Sequence, residues 1–310
     1  MSVAPESAAA PRSQTSATAS TQKSAPPWES PEWQEAVRQN PGLKPFFDNL
    51  ESFVELPGGI KKLRKLVMEL GVAGKLLDQD ERDEPASEML DKIYENRDDK
   101  SKPKKRPSSR FPANKDVPYP VPDSWVWTTF QDVAGIASNL VKPGDFQSMP
   151  HIAPNHIEKE TGRLLEYRTV AEDKVTSNKH RFYAGQILYS KIRPNLSKAV
   201  VVDFDGLCSA DMYPIDCFIH VPYLHQYILS TTFLRMVVKS DTRVAMPKTN
   251  QTELKKVLVA LPPEAEQKRI VSKVSVLLSQ LDELSARLRS RQSTTDALLT
   301  ALIHQILEGA

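Results

Sequence analysis

Two stretches of the chain concentrate the residue types that bind nucleic acid. Between Lys174 and Lys198, lysines and arginines alternate with aromatic and amide side chains, and no Asp or Glu interrupts them. Lysine and arginine neutralise phosphates, while arginine and amide groups also reach base edges. The candidate DNA-binding residues of this first cluster are Lys174, Lys179, Arg181, Tyr189, Lys191, Arg193, Asn195 and Lys198.

A second cluster follows a predicted helix and lies in a predicted loop. Its candidate DNA-binding residues are Arg243, Lys248, Thr249 and Asn250. Donors of these types suit guanine and adenine edges. Each candidate also has the alternative role of a turn residue or a surface salt bridge, because a charge run is usually a solvated face. Lys191 and Arg193 are the first choices for DNA contact.

No set of residues of comparable quality predicts catalysis. The glycine-rich turn and the Pro-Pro-aromatic loop of a base methyltransferase are absent, and eleven glycines form no phosphate-binding loop. The histidine pairs His151/His156 and His220/His225 lack the cysteine pair of a zinc site. We therefore expect this chain itself to bind neither a metal nor a cofactor.

Glu266-Gln267-Lys268 resembles the end of a nuclease motif, but it opens a predicted helix and lacks an upstream Asp on a paired strand. We interpret these residues as helix capping and surface charge. The residue types thus favour a binding protein over an enzyme.

Both basic clusters belong to a predicted α+β domain at residues 117–261. Short β-rich runs occur at 125–129, 186–188, 199–204 and 257–261, separated by Pro, Gly and Asn, and 223–239 is typical of a helix. At this size the segment is long enough to fold as a unit.

The residues before this domain divide into three predicted segments. Residues 1–42 form a Ser/Ala/Pro-rich tail that we expect to be disordered, and 43–99 form a small helical region. A helix follows Gly58-Gly59, and a shorter one covers 86–94. Residues 100–116 are a basic linker, which serves either as a solvated tether or as a contact to DNA phosphates.

Residues 262–310 predict one long helix with a coiled-coil seam. Apolar residues recur at intervals of three and four, which keeps one seam facing a partner helix. Such a helix of about 45 residues would reach roughly 65 Å. It serves as a spacer or partner-binding arm, or alternatively packs across its own domain. The seam residues are Ile270, Val274, Leu277, Leu281, Leu284, Leu288, Leu298 and Leu302.

The end of this helix also matches the helix after Gly59 at an offset of 235 residues. Any two amphipathic helices that end at a glycine would share some of these matches. The matched pairs are Leu63 with Leu298, Val67 with Leu302, Met68 with Ile303, Val72 with Leu307 and Gly74 with Gly309.

The composition is that of a cytoplasmic protein. No apolar run reaches the 18 or so residues of a membrane span, and the first residues lack an apolar signal core. Cys208 and Cys217 are too few for a disulfide framework, so we expect reduced thiols. Because the net charge is only +2, a nucleic acid would have to bind to a local basic patch.

Several stretches resemble the specificity (S) subunits of type I restriction-modification systems. The junction from Leu261 to Val271, with the sequence LPPEAEQKRIV, resembles the boundary between the target-recognition domain and the conserved helix of this family. The stretches 121–125 and 185–193 resemble the opening and the central strand of such a domain. Residues 60–77 followed by 83–87 resemble the conserved N-terminal helical segment found in one branch of the family.

The resemblance implies a non-catalytic subunit of bacterial or archaeal cytoplasm that reads one half of a bipartite site in double-stranded DNA. Methyltransferase (M) subunits would supply S-adenosylmethionine, and restriction (R) subunits would supply ATP- and Mg-dependent cleavage. Family members usually carry two recognition domains and two long conserved helices, whereas this chain resembles either a half-sized form or a truncated chain. We therefore expect a second copy to associate through the C-terminal helix.

Two other classes of function remain open from the residues alone. One is a coiled-coil assembly factor that does not read DNA sequence. The other is an autonomous nuclease or methyltransferase, for which the sequence offers the least support.

Overall fold

The computed structural model describes residues 29–39, 41–44, 48–96, 117–238 and 248–308. The predicted basic linker at 100–116 and the tail up to residue 28 lie outside the described residues. The remainder of the predicted tail does not match expectation, because α1 (Pro31–Gln39) is a helix inside it. Trp33 and Ala36 on its inner face are buried, and this apolar contact stabilises the helix.

Three further helices precede the α+β domain, namely α2 (Leu50–Glu55), α3 (Gly59–Val72) and α4 (Ala86–Asn96). The predicted helices after Gly59 and at 86–94 correspond to α3 and α4. Leu63, Val67 and Leu70 form the buried stripe of α3, as their spacing predicts. The helix ends before Gly74, whose φ of 68° suits glycine.

In the described part of the α+β domain, eleven short strands form three sheets. Strand β1 (Val126–Thr129) pairs antiparallel with β11 (Leu258–Leu261), so the two ends of the domain meet. A four-stranded antiparallel sheet has the order β2-β10-β7-β8. Its strands are β2 (Ala134–Ile136), β7 (Ile187–Ser190), β8 (Ala199–Val201) and β10 (Met212–Cys217).

A five-stranded sheet has the order β3-β6-β9-β4-β5 and one parallel pair, β4 with β9. Its strands are β3 (Leu140–Val141), β4 (Pro150–Ile152), β5 (Arg168–Thr169), β6 (Lys179–Phe182) and β9 (Gly206–Cys208). None of these five strands was predicted, because two- to four-residue strands show too little alternation to detect.

Within residues 117–238 and 248–261, the domain also has the α-helices α5 (Phe130–Val133), α6 (Val221–Leu229), α7 (Thr231–Val237) and α8 (Gln251–Lys255). The prediction of one helix at 223–239 was wrong, because the helix is interrupted at Ser230. The Ser230 backbone is extended, and its hydroxyl accepts a hydrogen bond from the Phe233 amide. A serine cap therefore starts a new helix at a point where apolar periodicity alone predicts continuation.

The last element is α9 (Glu264–Glu308), a single helix of 45 residues as the seam predicts. Ile270, Val274, Leu277 and Leu281 are buried in the core, where α9 packs on α3. A Cβ on Gly71 of α3 would lie 3.0 Å from the Val274 side chain, so glycine permits this close approach. The first partner of the seam is therefore a helix of the same chain.

A polar cluster at the start of α9 joins this helix to the α+β domain. The Glu266 carboxylate accepts hydrogen bonds from Trp125 Nε1 at 2.8 Å and from Gln79 Nε2 at 2.7 Å. The Gln267 amide oxygen accepts a hydrogen bond from the backbone N–H of His220 at 3.0 Å. Both side chains are buried, so their interpretation as capping and surface charge was wrong.

Candidate nucleic-acid interface

The two predicted basic clusters meet in the folded domain. Ile192 and Lys248 form an isolated antiparallel β-bridge, and the Thr249 amide donates a hydrogen bond of 2.8 Å to the Lys191 carbonyl. Residues more than fifty positions apart in sequence thus lie side by side. We call the surface formed by Lys191, Arg193, Asn195 and Lys248 the loop patch.

A tight turn projects the middle of the loop patch. Pro194–Leu196 is a short 3-10 turn, flanked by Arg193 and Ser197 with φ of 48° and 44°. This left-handed backbone is uncommon for residues other than glycine. It leaves the side chains of Arg193 and Asn195 exposed while Pro194 is buried, so the cationic and amide groups face outward.

The loop patch has a positive electrostatic character with one acidic neighbour. The Lys191 ammonium lies over the Tyr213 ring, 5.1 Å from its centroid, and Lys248 lies 3.5 Å from an Asp211 carboxylate oxygen. Burial lowers the pKa of His180, and the Lys191 charge lowers it further. His180 therefore adds little charge near neutral pH, and the lysines and Arg193 carry the positive potential.

Lys198 lies at the edge of this surface and is partly committed elsewhere. Its ammonium donates a hydrogen bond of 2.6 Å to the Pro154 carbonyl. Burial lowers its pKa, and the nearby charges of Arg193 and Lys159 lower it further. Repulsion from these cations indicates a concentration of positive charge that an anion would relieve.

Three candidates lie inside the domain, which corrects their predicted DNA contact. Tyr189 and Thr249 are buried, and burial raises the pKa of Tyr189 to about 12. Lys179 is also buried, and its ammonium donates hydrogen bonds to the backbone and side-chain oxygens of Ser177. Every residue of β7 is buried, so a usable contact surface begins only at Lys191.

The remaining candidates have different environments. The Asn250 side chain accepts a hydrogen bond from the Glu253 amide and so caps α8, although the residue is exposed. Lys174 is exposed in a loop with φ of 50°. Arg181 lies beside the rings of Phe146 and Tyr183. Arg243 lies outside the described residues.

The sequence did not predict the residues that contact the loop patch from inside the domain. Tyr213 supports the Lys191 ammonium through its ring, and its hydroxyl donates a hydrogen bond of 3.4 Å to the Thr249 carbonyl. The Asp211 backbone carbonyl accepts a hydrogen bond of 3.0 Å from the Lys191 amide. Their neighbours in sequence carry no basic residue, so only the pairing of β7 with β10 brings them to this site.

The described residues contain no group of three or more side chains suited to hold a metal ion. His151 Nδ1 lies 2.7 Å from an Asp173 carboxylate oxygen, but among the described residues the structure shows no hydroxyl or thiol hydrogen-bonded to this pair. Cys208 is buried, and burial raises the pKa of its thiol to about 12. Among the described helices, none has the length and apolar character needed to cross a membrane.

Curated relatives of the chain are specificity subunits of type I restriction enzymes from Escherichia coli. The EcoDI subunit is 41% identical over 196 residues, which cover 63% of this chain and 44% of the relative. The EcoEI and EcoAI subunits are each 29% identical, over 262 and 261 residues, covering 79% of this chain and 44% of each relative. The chain thus spans less than half the length of these relatives.

Among solved structures, the HsdS subunit from Thermoanaerobacter tengcongensis is 15% identical, with a TM-score of 0.40 over 79% of this chain and 52% of that one. The type I S subunit from M. genitalium is 13% identical, with a TM-score of 0.40 over 87% and 60% of the two chains. No protein-family model matches the chain. By its sequence matches, the chain is similar to the specificity subunits of type I restriction enzymes.

Proposed function

We propose that this chain recognises DNA sequence within a type I restriction-modification complex and has no catalytic role of its own. The observation that carries the proposal is the loop patch, where two separate basic segments form one exposed surface with a rigid turn at its centre. Such a surface provides phosphate contacts from lysine and directional donors from Arg193 and Asn195.

The partners follow from the same proposal. The M subunits would bind S-adenosylmethionine and methylate the site, and the R subunits would use ATP and Mg to translocate and cleave DNA. This chain would position both by reading one half of the target.

A second copy is the proposed partner of the exposed half of α9. Every residue from 289 to 308 is exposed, although this segment carries an apolar stripe. Burying that stripe against a matching helix would remove apolar surface from water. Because α3 already covers the first half of the seam, two copies would meet through the second halves. The stripe consists of Leu298, Leu299, Leu302, Ile303, Ile306 and Leu307.

The main test uses the complex assembled with its M subunits. The triple variant Lys191→Ala, Arg193→Ala, Lys248→Ala should bind target DNA more weakly, and the slope of log affinity against log salt should fall by about one for each phosphate that the variant no longer neutralises. A matched variant, Lys268→Ala, Arg287→Ala, Arg289→Ala, removes the same charge from α9 and should bind as the parent does. Equal binding by both variants would contradict the proposal.

A second test concerns self-association. Light scattering should give a dimer for the parent, and Leu298→Asp with Leu302→Asp should give a monomer. A parent that is monomeric both alone and with M subunits would remove the second copy from the proposal.

The alternative function is a coiled-coil assembly factor, which the exposed stripe on α9 favours. Such a protein would bind its partners but would show no preference among duplex sequences as salt rises. A sequence-specific reader keeps its site preference while its overall affinity falls.

A further inference from the structure

We propose that Arg181 is a DNA-contacting residue that donates paired hydrogen bonds to an acceptor pair on the DNA. The acceptor pair is either guanine O6 and N7 or two oxygens of a phosphate, since both match the guanidinium fork. This inference rests on the proposed function, because it requires duplex DNA at this domain.

The register of the five-stranded sheet places Arg181 on the face opposite to Phe182. Arg181 lies opposite Leu207, and Leu207 lies opposite His151, which lies opposite Arg168. Cross-strand partners point to the same side of a sheet, so these side chains share one face. Phe182, the next residue of β6, points to the other side and belongs to the buried core.

The Arg181 guanidinium contacts aromatic rings where most comparable arginines contact carboxylates. Its central carbon lies 5.3 Å from the Phe146 ring centroid and 5.0 Å from that of Tyr183. Within the described residues, its side chain forms no hydrogen bond and no ion pair, and Nε is buried without a partner. Among the described residues, six other arginines do pair with a carboxylate: Arg38, Arg64, Arg82, Arg163, Arg269 and Arg287.

His151, which shares this face of the sheet, already has an acidic partner. Asp173 binds His151 Nδ1 at 2.7 Å, so its carboxylate serves the histidine. Arg181 thus retains its charge and its N–H donors with no anion of the described residues to receive them. The aromatic rings restrict the Arg181 side chain before any ligand binds. Less conformational entropy is therefore lost when its N–H donors bind an acceptor pair.

The ring of Tyr183 is held at the surface by a fixed turn. The Tyr183 amide donates a hydrogen bond of 2.8 Å to Gln186 Oε1, and Gln186 Nε2 donates one of 2.6 Å to Asp216. Gly185, with φ of 86°, closes the turn. Tyr183 itself is 40% exposed. The site is therefore both preorganised and open to a large ligand.

The test compares Arg181→Lys with Arg163→Lys in the complex with M subunits. Lysine keeps the charge but loses the fork, while Arg163 is an exposed arginine of the same domain whose acceptor, Glu158, is its own neighbour. Methylome sequencing of cells making each complex reports the methylated motif. DNA binding as a function of salt reports contacts to phosphate, and urea unfolding reports stability.

If Arg181 reads a base, Arg181→Lys should relax the motif at one position by roughly 10- to 100-fold, with the other positions unchanged. If it holds a phosphate in paired hydrogen bonds, affinity should fall equally at all sequences with the motif intact. Tyr183→Ala should reproduce part of either effect, whereas Tyr183→Phe, which keeps the ring, should behave as the parent. Tyr183 lies at the surface and outside the buried core, so the tyrosine variants keep the test valid if Arg181→Lys unfolds.

Arg181→Lys and Tyr183→Ala complexes that match Arg163→Lys in motif and in affinity would overturn this inference alone. A parent complex that binds DNA without any site preference would instead overturn the proposed function, and this inference with it.

Discussion

The two halves of α9 carry the same kind of apolar seam but have opposite environments. From Glu264 to Leu284 the seam is buried against α3 and the α+β domain, whereas from 289 to 308 every residue is exposed. Leu277 is fully buried, and Leu302 is 56% exposed. The comparison teaches that a heptad pattern specifies a helix with a seam, while the covering partner depends on what the rest of the chain brings to it.

The largest expected difference between the halves is in core packing. Leu277→Ala should lower the free energy of unfolding by about 2–5 kcal/mol, because it removes a fully buried side chain and leaves a cavity. Leu302→Ala, the same substitution in the exposed half, should change the stability of a single copy by no more than about 0.5 kcal/mol. Urea unfolding at low protein concentration measures both, and equal losses would contradict the contrast.

The next effect concerns the buried carboxylate at the start of α9. Glu266→Ala should cost about 1–3 kcal/mol, because the buried indole N–H of Trp125 and the amide of Gln79 lose their acceptor. Glu283→Ala removes an exposed carboxylate that lies 3.9 Å from Arg287. Thermal unfolding should show a clear drop in Tm for the first variant and almost none for the second.

Loss of an ion pair should also lower the free energy of unfolding more in the buried half of α9 than in the exposed half, but by less than the preceding substitutions. Arg269 reaches across to Asp83, whose side chain is only 8% exposed, and this contact raises the pKa of Arg269. Arg269→Gln should therefore cost about 1 kcal/mol, against about 0.2–0.5 kcal/mol for Arg287→Gln on the exposed face. High salt should weaken the exposed pair more than the partly buried one, and the opposite ranking in urea unfolding would count against this account.

The smallest expected effect is a pH dependence specific to the buried half. Burial raises the pKa of Glu266 above its usual 4.5. The folded state therefore holds this proton more tightly than the unfolded state does, and the penalty for a buried charge is present above the folded pKa. Relative to Glu266→Gln, the parent should gain stability as pH falls through the folded pKa towards 4.5, with no further relative change below it.

Paired urea unfolding of the parent and Glu266→Gln between about pH 4 and 7 measures this difference. Glu283→Gln serves as the control, and its stability relative to the parent should not follow the same trend. A parent that loses stability relative to Glu266→Gln on acidification would contradict the raised pKa.

Local patterns determined a large part of this fold. The stripe of α3, the run of α4 and the 45-residue length of α9 could all be read from residue spacing, because helical periodicity is a property of consecutive residues. The half-buried cation Lys191 and the exposed cation Arg193 could be found in the same way. Their predicted contact with DNA remains a prediction, which the loop-patch variants test.

Tertiary structure alone decided burial and neighbourhood. Tyr189 and Lys191 are two residues apart in sequence, yet the first lies in the core and the second on the surface, because β7 ends between them. The Ile192–Lys248 bridge, the ring contacts of Arg181 and the burial of Glu266 all join segments distant in sequence. No local pattern encodes such contacts, since they depend on strand pairing and on the packing of α3 against α9.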